Sequence, residues 1–480
     1  MLDKSIDPGE SHLYQALARE LAGAIEDGTL KTGDRLPSTR KISSRYRVSM
    51  ATAVQAFREL ENLRLIEARP RSGFFVARQA TRALEPAPSK PPASPRYAVT
   101  PTLLEEFVRA LDRPGVVRLG AALPPAGWFP TRQLARISSS INRRRPELAA
   151  TYQVSQGASE LRSVIARRAL EIGCHIKADD IVVTNGCVEA LNLCIRAVAR
   201  PGDTVALESP TYFLLLHTLE SLGLKALEIP THPKTGISLE ALDLATSRRG
   251  AIKALLLIPT YSNPLGSVMP DEHKARVVAM CDERGIALIE DDVYGETFFG
   301  GTRPLPAKAW DKNGTVLYCT SFTKTLAAGL RVGWCAPGRY LDQVALAKRA
   351  TSVFTAYAPQ LAIAEFIATG AYDHHLRRLR ALAADHARRM TQRIQEMFPP
   401  GCRLTQPSGG YVLWIELPRR IDAVELFRRA LRKNIVIAPG PLFTMSKRYG
   451  NFIRMSYTEA WSPAVEDAVA TLGKMASAMA

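Results

Sequence analysis

Near the start of the sequence, apolar residues recur every four positions. They are Leu13, Leu17, Leu21 and Ile25. This spacing puts their side chains on one face of a helix. Serine is a favoured helix N-cap, so Ser38 predicts a helix from Thr39 to about Tyr46, and Ser49 predicts another from Met50 to about Leu63. The pattern therefore predicts three consecutive helices.

The third predicted helix has one apolar and one polar face. Ala53, Phe57 and Leu60 lie at i, i+4 and i+7 and should face a core. The residues expected on the opposite face are Met50, Ala51, Thr52 and Gln55. Two short apolar strands follow at 65–68 and 74–77. Three helices followed by a β-hairpin make a winged helix-turn-helix.

A proline-rich stretch then interrupts the pattern. Residues 84–95 contain five prolines, which exclude a helix or a strand inside a sheet. We expect a semi-rigid linker over 79–97, extending by about 3.1 Å per residue where it is polyproline-like. The predicted organisation is a winged helix-turn-helix at 1–78, this linker, and a second domain at 98–480.

Beyond the linker, apolar runs alternate with segments of mixed apolar and charged residues. The clear apolar runs are 181–183, 204–207, 254–258, 287–290 and 316–319. Strands that alternate with helices are typical of an α/β domain with a mostly parallel sheet. Residues 370–480 mix helix and strand and predict a smaller α+β lobe. The chain is therefore expected to be a multidomain α/β protein.

The net charge and the cysteine spacing limit the kinds of partner and bound group that the chain is expected to have. The chain of 480 residues has a net charge of +17, which favours an anionic partner such as nucleic acid, although a soluble arginine-rich protein would give the same total. The seven cysteines show no Cys-x-x-Cys spacing, so we expect no metal site and no disulfide framework. Residues 1–7 do not resemble a signal peptide, and no apolar run is long enough for a membrane span. We expect a cytoplasmic protein with no membrane partner.

Basic residues concentrate around the predicted second helix. Five basic residues and no acidic residue lie between Arg35 and Met50. This places positive charge where DNA phosphates would lie, although a solvated helix face has the same appearance. The residues expected to contact DNA are Arg35, Ser38, Arg40, Lys41, Ser49, Thr52, Gln55 and Arg71.

Three charged residues follow buried strands in the second domain. Asp291 follows the run 286–290, Lys324 follows the run 316–319, and Arg331 comes shortly afterwards. Pyridoxal 5′-phosphate (PLP) needs this set, because a lysine forms its Schiff base, an aspartate keeps its pyridinium nitrogen protonated and an arginine neutralises its phosphate. Open α/β sheets bind ligands at the carboxyl ends of their strands. The sequence therefore predicts a PLP site with Lys324 as its catalytic residue.

Further residues extend the predicted site. Gly186, Cys187 and Val188 open a helix, so their N–H groups should hold the phosphate together with Ser321 and Arg331. Each would mean little alone, since a Pro-Thr-Tyr or Asn-Pro sequence is often only a turn. The residues expected around the pyridine ring are Tyr212, which would stack on it, and Asn263 and Tyr294, which would reach its phenolic oxygen.

Both halves resemble known families. Residues 33–40 (GDRLPSTR), the Val48-Ser49-x-x-Thr52 pattern and residues 71–76 (RSGFFV) resemble the GntR family of bacterial repressors over about residues 11–78. Many members carry a polar base-reading residue where this chain has Met50 and Ala51, so its base contacts are expected to be apolar or fewer.

Over about residues 110–475 the PLP constellation resembles the fold-type I (class I/II) aminotransferases. The resemblance implies a three-layer αβα large domain with a smaller lobe. It also implies that Arg454, in the run FIRMS, binds the α-carboxylate of a substrate or effector. Tyr152 would reach the phosphate of a neighbouring subunit, which implies a homodimer with shared sites.

Together the two halves resemble the MocR-type subfamily of GntR regulators. That resemblance implies a PLP-dependent transcriptional regulator that senses an amine, an amino acid or PLP, with a dimer reading two DNA half-sites. An active aminotransferase with an appended DNA-binding domain stays open, because Lys324, Asp291 and Arg454 are all present. A lyase or decarboxylase on the same fold fits less well, since Arg454 suits substrates of transamination. The arginine runs at 143–145 and 377–380 are either DNA contacts or solvated helix faces.

Overall fold

The structure is a computed structural model. It describes residues 13–26, 29–31, 33–62, 65–69, 73–76, 85–87, 94–99, 102–152, 156–248, 250–446 and 448–480. Arg71, residues 1–12 and most of the stretch 79–97 lie outside the described residues. The chain forms two compact units, Met1–Arg82 and Ala83–Ala480, called here the N-terminal and the C-terminal unit. Within the described ranges, no helix has both the length and the apolar character needed to cross a membrane.

The N-terminal unit contains the three predicted helices and the hairpin. Its elements are α1 (Leu13–Glu26), α2 (Thr39–Tyr46), α3 (Met50–Asn62), β1 (Ile66–Arg69) and β2 (Gly73–Val76). Strand β1 pairs antiparallel with β2, with Ile66 opposite Val76. The predicted core positions of α3 are confirmed, because Ala53, Phe57 and Leu60 are all buried. In α1, Leu17, Leu21 and Ile25 are buried as well, whereas Leu13 is 41% exposed.

The predicted linker is partly attached to the C-terminal unit. Pro86 is buried, and the side chain of Glu85 pairs with Lys234 at 3.3 Å. Residues Arg96–Tyr97 form strand β3, which pairs antiparallel with a strand of the large sheet. The sheet therefore begins inside the range assigned to the linker.

The large sheet of the C-terminal unit contains nine strands within the described residues, in the order β3-β6-β5-β8-β9-β10-β11-β4 with β7 on β6. Those after β3 are β4 (Val182–Thr184), β5 (Thr204–Ser209), β6 (Lys225–His232), β7 (Gly236–Ile237), β8 (Ala254–Leu257), β9 (Ala287–Asp291), β10 (Val316–Ser321) and β11 (Gly333–Ala336). Strands β6, β5, β8, β9 and β10 run parallel. Strand β11 lies antiparallel between β10 and β4.

Buried apolar side chains of helices pack against both faces of this sheet, and the runs predicted as strands are confirmed to within two residues. The helices of the C-terminal unit are α4 (Leu103–Leu111), α5 (Thr131–Arg144), α6 (Ser159–Glu171), α7 (Cys187–Val198), α8 (Phe213–Ser221), α9 (Leu239–Thr246), α10 (Asp271–Arg284), α11 (Leu341–Thr351), α12 (Tyr357–Ala368), α13 (Ala371–Met397), α14 (Ala423–Leu431) and α15 (Pro463–Met479). The C-terminal ends of the parallel strands lie along one edge of the sheet, and the predicted site residues lie at this edge.

A second, antiparallel sheet forms the smaller lobe. Its order is β12-β13-β15-β14, with β12 (Arg403–Leu404), β13 (Val412–Glu416), β14 (Ala438–Pro439) and β15 (Phe452–Ser456). Residues from before the large sheet join this lobe: Val117 bridges Ile435, and the ring of Phe107 lies 6.3 Å from that of Phe427. The lobe is therefore built from both ends of the C-terminal unit, not from 370–480 alone.

Candidate cofactor site and DNA-binding surface

Lys324 lies in the turn that follows β10. Its Nζ donates to the carbonyl oxygen of Ala122 at 2.6 Å and lies 5.7 Å from the centre of the Tyr294 ring. Burial, and after it the charge of Arg454, lowers the pKa of Lys324 to about 8. A lowered pKa increases the fraction of neutral amine near pH 7, and the neutral amine is the form that attacks a carbonyl carbon.

Side chains distant in sequence hold the Lys324 turn in place. The hydroxyl of Tyr411 donates to the carbonyl oxygen of Lys324 at 2.7 Å. From α13, the hydroxyl of Tyr372 lies 2.8 Å from Oγ1 of Thr325, and Nε2 of His375 lies 2.7 Å from the Thr325 carbonyl oxygen. Sequence reasoning missed these three positions, because no local motif marks a residue that supports a turn from another lobe.

Asp291 is the last residue of β9 and is buried. Its Oδ1 accepts from the N–H of Val293 at 3.1 Å, and the thiol of Cys187 lies 3.5 Å away. Burial raises the pKa of Asp291 to about 6, so most of the group is ionised at pH 7. Val293 and Cys187, its hydrogen-bond partners among the described residues, are both uncharged. A buried carboxylate needs a cationic partner, and a protonated pyridinium nitrogen would supply one.

The neighbouring Asp292 points to the opposite face of the strand. Its carboxylate accepts from the guanidinium of Arg303 and from the hydroxyl of Tyr318, the latter at 2.6 Å. Successive side chains of a strand alternate between faces. Asp292 is therefore committed to an internal ion pair, and Asp291 is the carboxylate available to a cofactor.

The loop between β4 and α7 has the shape of an anion-binding cradle. Gly186 is the N-cap of α7 and has a φ of 91°. A Cβ added at Gly186 would lie 2.5 Å from Nη2 of Arg331, and that nitrogen donates to the carbonyl oxygen of Asn185 at 2.9 Å. Any side chain at position 186 would therefore displace Arg331. The start of α7, with Cys187 and Val188, and the guanidinium of Arg331 converge here, as a phosphate requires.

Ser321 is brought to the same cradle by strand pairing. It is the last residue of β10 and pairs with Gly333 of β11. A Cβ added at Gly333 would lie 2.5 Å from the carbonyl carbon of Gly186, so β11 lies directly against the cradle. The predicted phosphate residues, although far apart in sequence, thus lie around one loop.

Arg454 lies in β15 and is buried without a carboxylate partner among the described residues. Its Nη1 donates to Oδ1 of Asn263 at 2.9 Å, and its Nη2 donates to the carbonyl oxygen of Gly120. Its Nε is buried and has no hydrogen-bond partner within the described residues. Burial lowers the pKa of Arg454 to about 10, which still leaves it charged. A buried cation with an unused N–H is suited to bind a carboxylate.

The three residues predicted around the pyridine ring lie at the same edge of the sheet. Tyr212 precedes α8, and its ring contacts Phe213 at 4.8 Å between centres. Burial raises the pKa of Tyr294, and a hydrogen bond with the Asn263 side chain opposes this rise. Because Oδ1 of Asn263 accepts from Arg454, its amide nitrogen is the atom left to donate. These positions and the cradle fit PLP: a lysine, a buried carboxylate whose hydrogen-bond partners are uncharged and an anion-binding loop share one edge.

Tyr152, predicted to reach a neighbouring subunit, lies at the surface. Its side chain is 65% exposed, and its ring contacts Phe354 edge to face at 5.2 Å. Val188, at the cradle, is also exposed. The role of Tyr152 across an interface stays a prediction.

In the N-terminal unit, two of the predicted DNA-contacting side chains also cap helices. Oγ of Ser38 accepts from the N–H of Lys41 at 3.3 Å, and Oγ of Ser49 accepts from the N–H of Thr52 at 3.0 Å. The exposed members are Arg35, Ser38, Arg40, Lys41, Ser49 and Gln55, whereas Thr52 is half-buried. Arg71 lies outside the described residues. The exposed basic face is suited to DNA phosphates, and each individual contact stays a prediction.

Most arginines of the two runs are used within the C-terminal unit. Arg144 pairs with Glu365 at 2.7 Å, and Arg380 pairs with Glu296 at 2.7 Å. Arg378 donates to the carbonyl oxygen of Trp128 at 2.9 Å. These contacts favour a structural role for the two runs over DNA binding.

Comparison with known proteins agrees with both units. The sequence matches the family of aminotransferases of class I and II over residues 127–471 and the gntR family of bacterial regulatory proteins over residues 13–76. The HTH-type transcriptional regulator YjiR of Escherichia coli is 38% identical over 461 residues, which cover 96% of this chain and 98% of YjiR. The 2-aminoadipate transaminase of Thermus thermophilus is 30% identical and covers 77% of this chain and 92% of its own.

A solved structure gives the same result. The α-aminoadipate aminotransferase LysN of Thermus thermophilus, complexed with N-(5′-phosphopyridoxyl)-L-leucine, has a TM-score of 0.73 and 28% identity, covering 80% of this chain and 96% of LysN. The fold and the site thus define a PLP-dependent protein of the aminotransferase fold with a winged-helix DNA-binding domain. The chain belongs to the class I and II aminotransferase family. Its additional GntR winged helix makes it a member of the MocR-type subfamily of GntR transcriptional regulators.

Proposed function

We propose that this protein is a cytoplasmic homodimeric regulator whose C-terminal unit senses an amino acid, or PLP itself, and thereby changes DNA binding by two winged helices. The observation that carries this proposal is Arg454, a buried cation whose Nε has no partner among the described residues. It lies within the same site as Lys324 and Asp291. A ligand with both an amino group and a carboxylate fits this site, because the amino group can combine with PLP and the carboxylate can bind Arg454.

Each side chain has a defined task in such binding. PLP supplies an aldehyde that combines reversibly with primary amines. Arg454 binds the carboxylate of the ligand, and for this its Nη2 gives up the carbonyl oxygen of Gly120. Asn263 stays beside it and orients the guanidinium through the 2.9 Å hydrogen bond. Asp291 holds the positive charge of the pyridine ring.

Coupling to DNA requires that the ligand binds two arrangements of the protein unequally. The main-chain segment 119–122 provides a physical basis, because its carbonyl oxygens accept from both Arg454 and Lys324. A ligand carboxylate that takes the Arg454 donor removes one of these two contacts on the segment, which is attached to the smaller lobe through the hydrogen bond from the N–H of Ser456 to the carbonyl oxygen of Leu119. The exposed side chain of Tyr152 is accessible to a second subunit, which supports a dimer. A dimer carries two winged helices, and these can bind two DNA half-sites.

Footprinting on the DNA upstream of the protein's own gene tests the proposal. We expect protection of two half-sites, with an extent or affinity that changes when PLP or a responsive amino acid is added. The Lys324→Ala protein is the control and should give a footprint that does not respond to PLP. A wild-type footprint that ignores PLP and every amino compound tried would contradict the sensing role.

An active aminotransferase is a second candidate, because Lys324, Asp291 and Arg454 are all in place. This candidate predicts release of a 2-oxo acid from one of a panel of amino acids, at many turnovers per site when an acceptor 2-oxo acid is present. Lys324→Ala should abolish the release. Absence of turnover together with a ligand-dependent footprint would exclude the aminotransferase and support the regulator.

A further inference from the structure

Lys348, on α11, is a buried lysine outside the set of residues that would touch the cofactor. Its side chain is only 3% exposed, and a lysine is rarely buried unless it is paired. Its Nζ donates to Oε2 of Glu189 at 3.2 Å, to Oγ of Ser352 at 3.0 Å and to Oγ1 of Thr355 at 3.2 Å. All three protons of the ammonium group therefore have acceptors.

Its partner Glu189 is the third residue of α7 and reaches back to the phosphate cradle. Oε2 of Glu189 accepts from the N–H of Asn185, and Oε1 accepts from the Asn185 side-chain amide at 3.2 Å. The carbonyl oxygen of the same Asn185 accepts from Arg331 at 2.9 Å. A continuous series of polar contacts thus runs from Lys348 through Glu189 and Asn185 to the arginine of the cradle.

This arrangement places a carboxylate within one helical turn of an anion site. Burial opposes the ionisation of Glu189, but hydrogen bonds from Ser352 and the Asn185 backbone and the charge of Lys348 lower its pKa overall. Glu189 is therefore negatively charged, and without a cation it would repel a phosphate. Lys348 cancels that charge while Glu189 fixes the loop geometry.

We infer that Lys348 and Glu189 are positioning residues that act together to hold the Asn185–Gly186 loop and Arg331 in the geometry that binds the phosphate of PLP. This inference rests on the PLP site described above. Neither side chain touches the cofactor in this role. Their effect is specific to the phosphate end, since they contact the loop and not the residues around the pyridine ring.

Binding of PLP and of pyridoxal, which lacks the phosphate, tests this specificity in the full-length protein. Lys348→Met leaves Glu189 charged beside the cradle, and the double variant Glu189→Ala with Lys348→Met removes the charge and the loop contact together. In both, we expect PLP affinity to fall about tenfold or more, as for loss of a charge-assisted hydrogen bond. Pyridoxal affinity should stay within about twofold of the wild-type value.

Lys274→Met is the matched control. Lys274 is a fully buried helical lysine of the same unit, and its Nζ contacts Asp271 at 3.2 Å and the carbonyl oxygen of Leu305 at 2.6 Å. Its loss should lower thermal stability and leave the ratio of PLP to pyridoxal affinity unchanged. If Lys348→Met does not fold, the double variant, which buries no unpaired charge, decides the question.

The outcomes separate the inference from the site beneath it. Wild-type protein that binds no PLP would refute the PLP site itself. Wild-type binding with a PLP-to-pyridoxal ratio that is unchanged in both variants, or an equal loss of both ligands, would overturn the role of Lys348 and Glu189 alone. A selective loss of PLP in both variants, absent in Lys274→Met, supports it.

Discussion

Replacing Asp291 by Asn removes the charge that would hold the pyridinium nitrogen while preserving the size of the side chain. The amide oxygen can still accept from the N–H of Val293, now at 3.1 Å from Oδ1, so the local backbone should not change. Removing one partner of a buried ion pair costs about 3–5 kcal/mol. Since each 1.4 kcal/mol is a factor of ten, PLP affinity should fall by roughly 100-fold to 1,000-fold or more.

The assay is a PLP titration followed by visible absorbance, with Asp292→Asn as the control. Asp292 is paired with Arg303 on the other face of the strand, so its replacement should lower the melting temperature but leave the cofactor spectrum unchanged. Wild-type affinity and spectrum in Asp291→Asn, with both changed in Asp292→Asn, would refute the assignment of the two carboxylates.

Four further results are expected. Lys324→Ala should lose the visible absorbance and the adduct fixed by borohydride, and labelling of another lysine in the wild type would contradict the site. Arg454→Lys replaces a two-point contact by one and should weaken amino-acid binding about 10-fold to 100-fold, with amines that lack a carboxylate within about twofold, measured by titration. In the full-length protein, Arg40→Ala should weaken DNA binding and reduce the slope of log affinity against log salt by about 1, and an unchanged slope would argue against a phosphate contact. Without PLP, the free energy of unfolding of the wild type should fall relative to that of Asp291→Asn as the pH rises from about 4 to 6. The reason is that the pKa of Asp291 is about 6 in the folded state against an ordinary 3.8, so the folded state binds more protons than the unfolded state in this window. Plots of unfolding free energy against pH that run parallel for the two proteins would exclude this.

Local patterns predicted the elements that local physics determines. The burial of Leu17, Leu21 and Ile25 follows from helical periodicity. Ser38 and Ser49 accept the backbone hydrogen bonds that are typical of N-cap serines. Asp291 and Lys324 were predictable because they lie at the end of a buried strand or shortly after one, and parallel strands end at one edge.

Contacts between distant segments were not predictable in this way. Val117 bridges Ile435, so the smaller lobe begins far before residue 370. Tyr411 and His375 hold the lysine turn from other elements. Lys348 has no motif around it, and its link to the phosphate loop depends on the packing of α11 against α7. Such pairings arise from tertiary packing, which hydrophobic periodicity does not encode.

DNA affinity measured while PLP is titrated into the cofactor-free protein tests the central claim most directly. If the PLP site controls DNA binding, affinity for the upstream DNA should change with a midpoint equal to the PLP dissociation constant measured by absorbance. By linkage, saturating DNA should change PLP affinity by the same factor. Full occupancy of Lys324 by PLP, with the same DNA affinity at every step and with every amino acid added afterwards, would contradict the account.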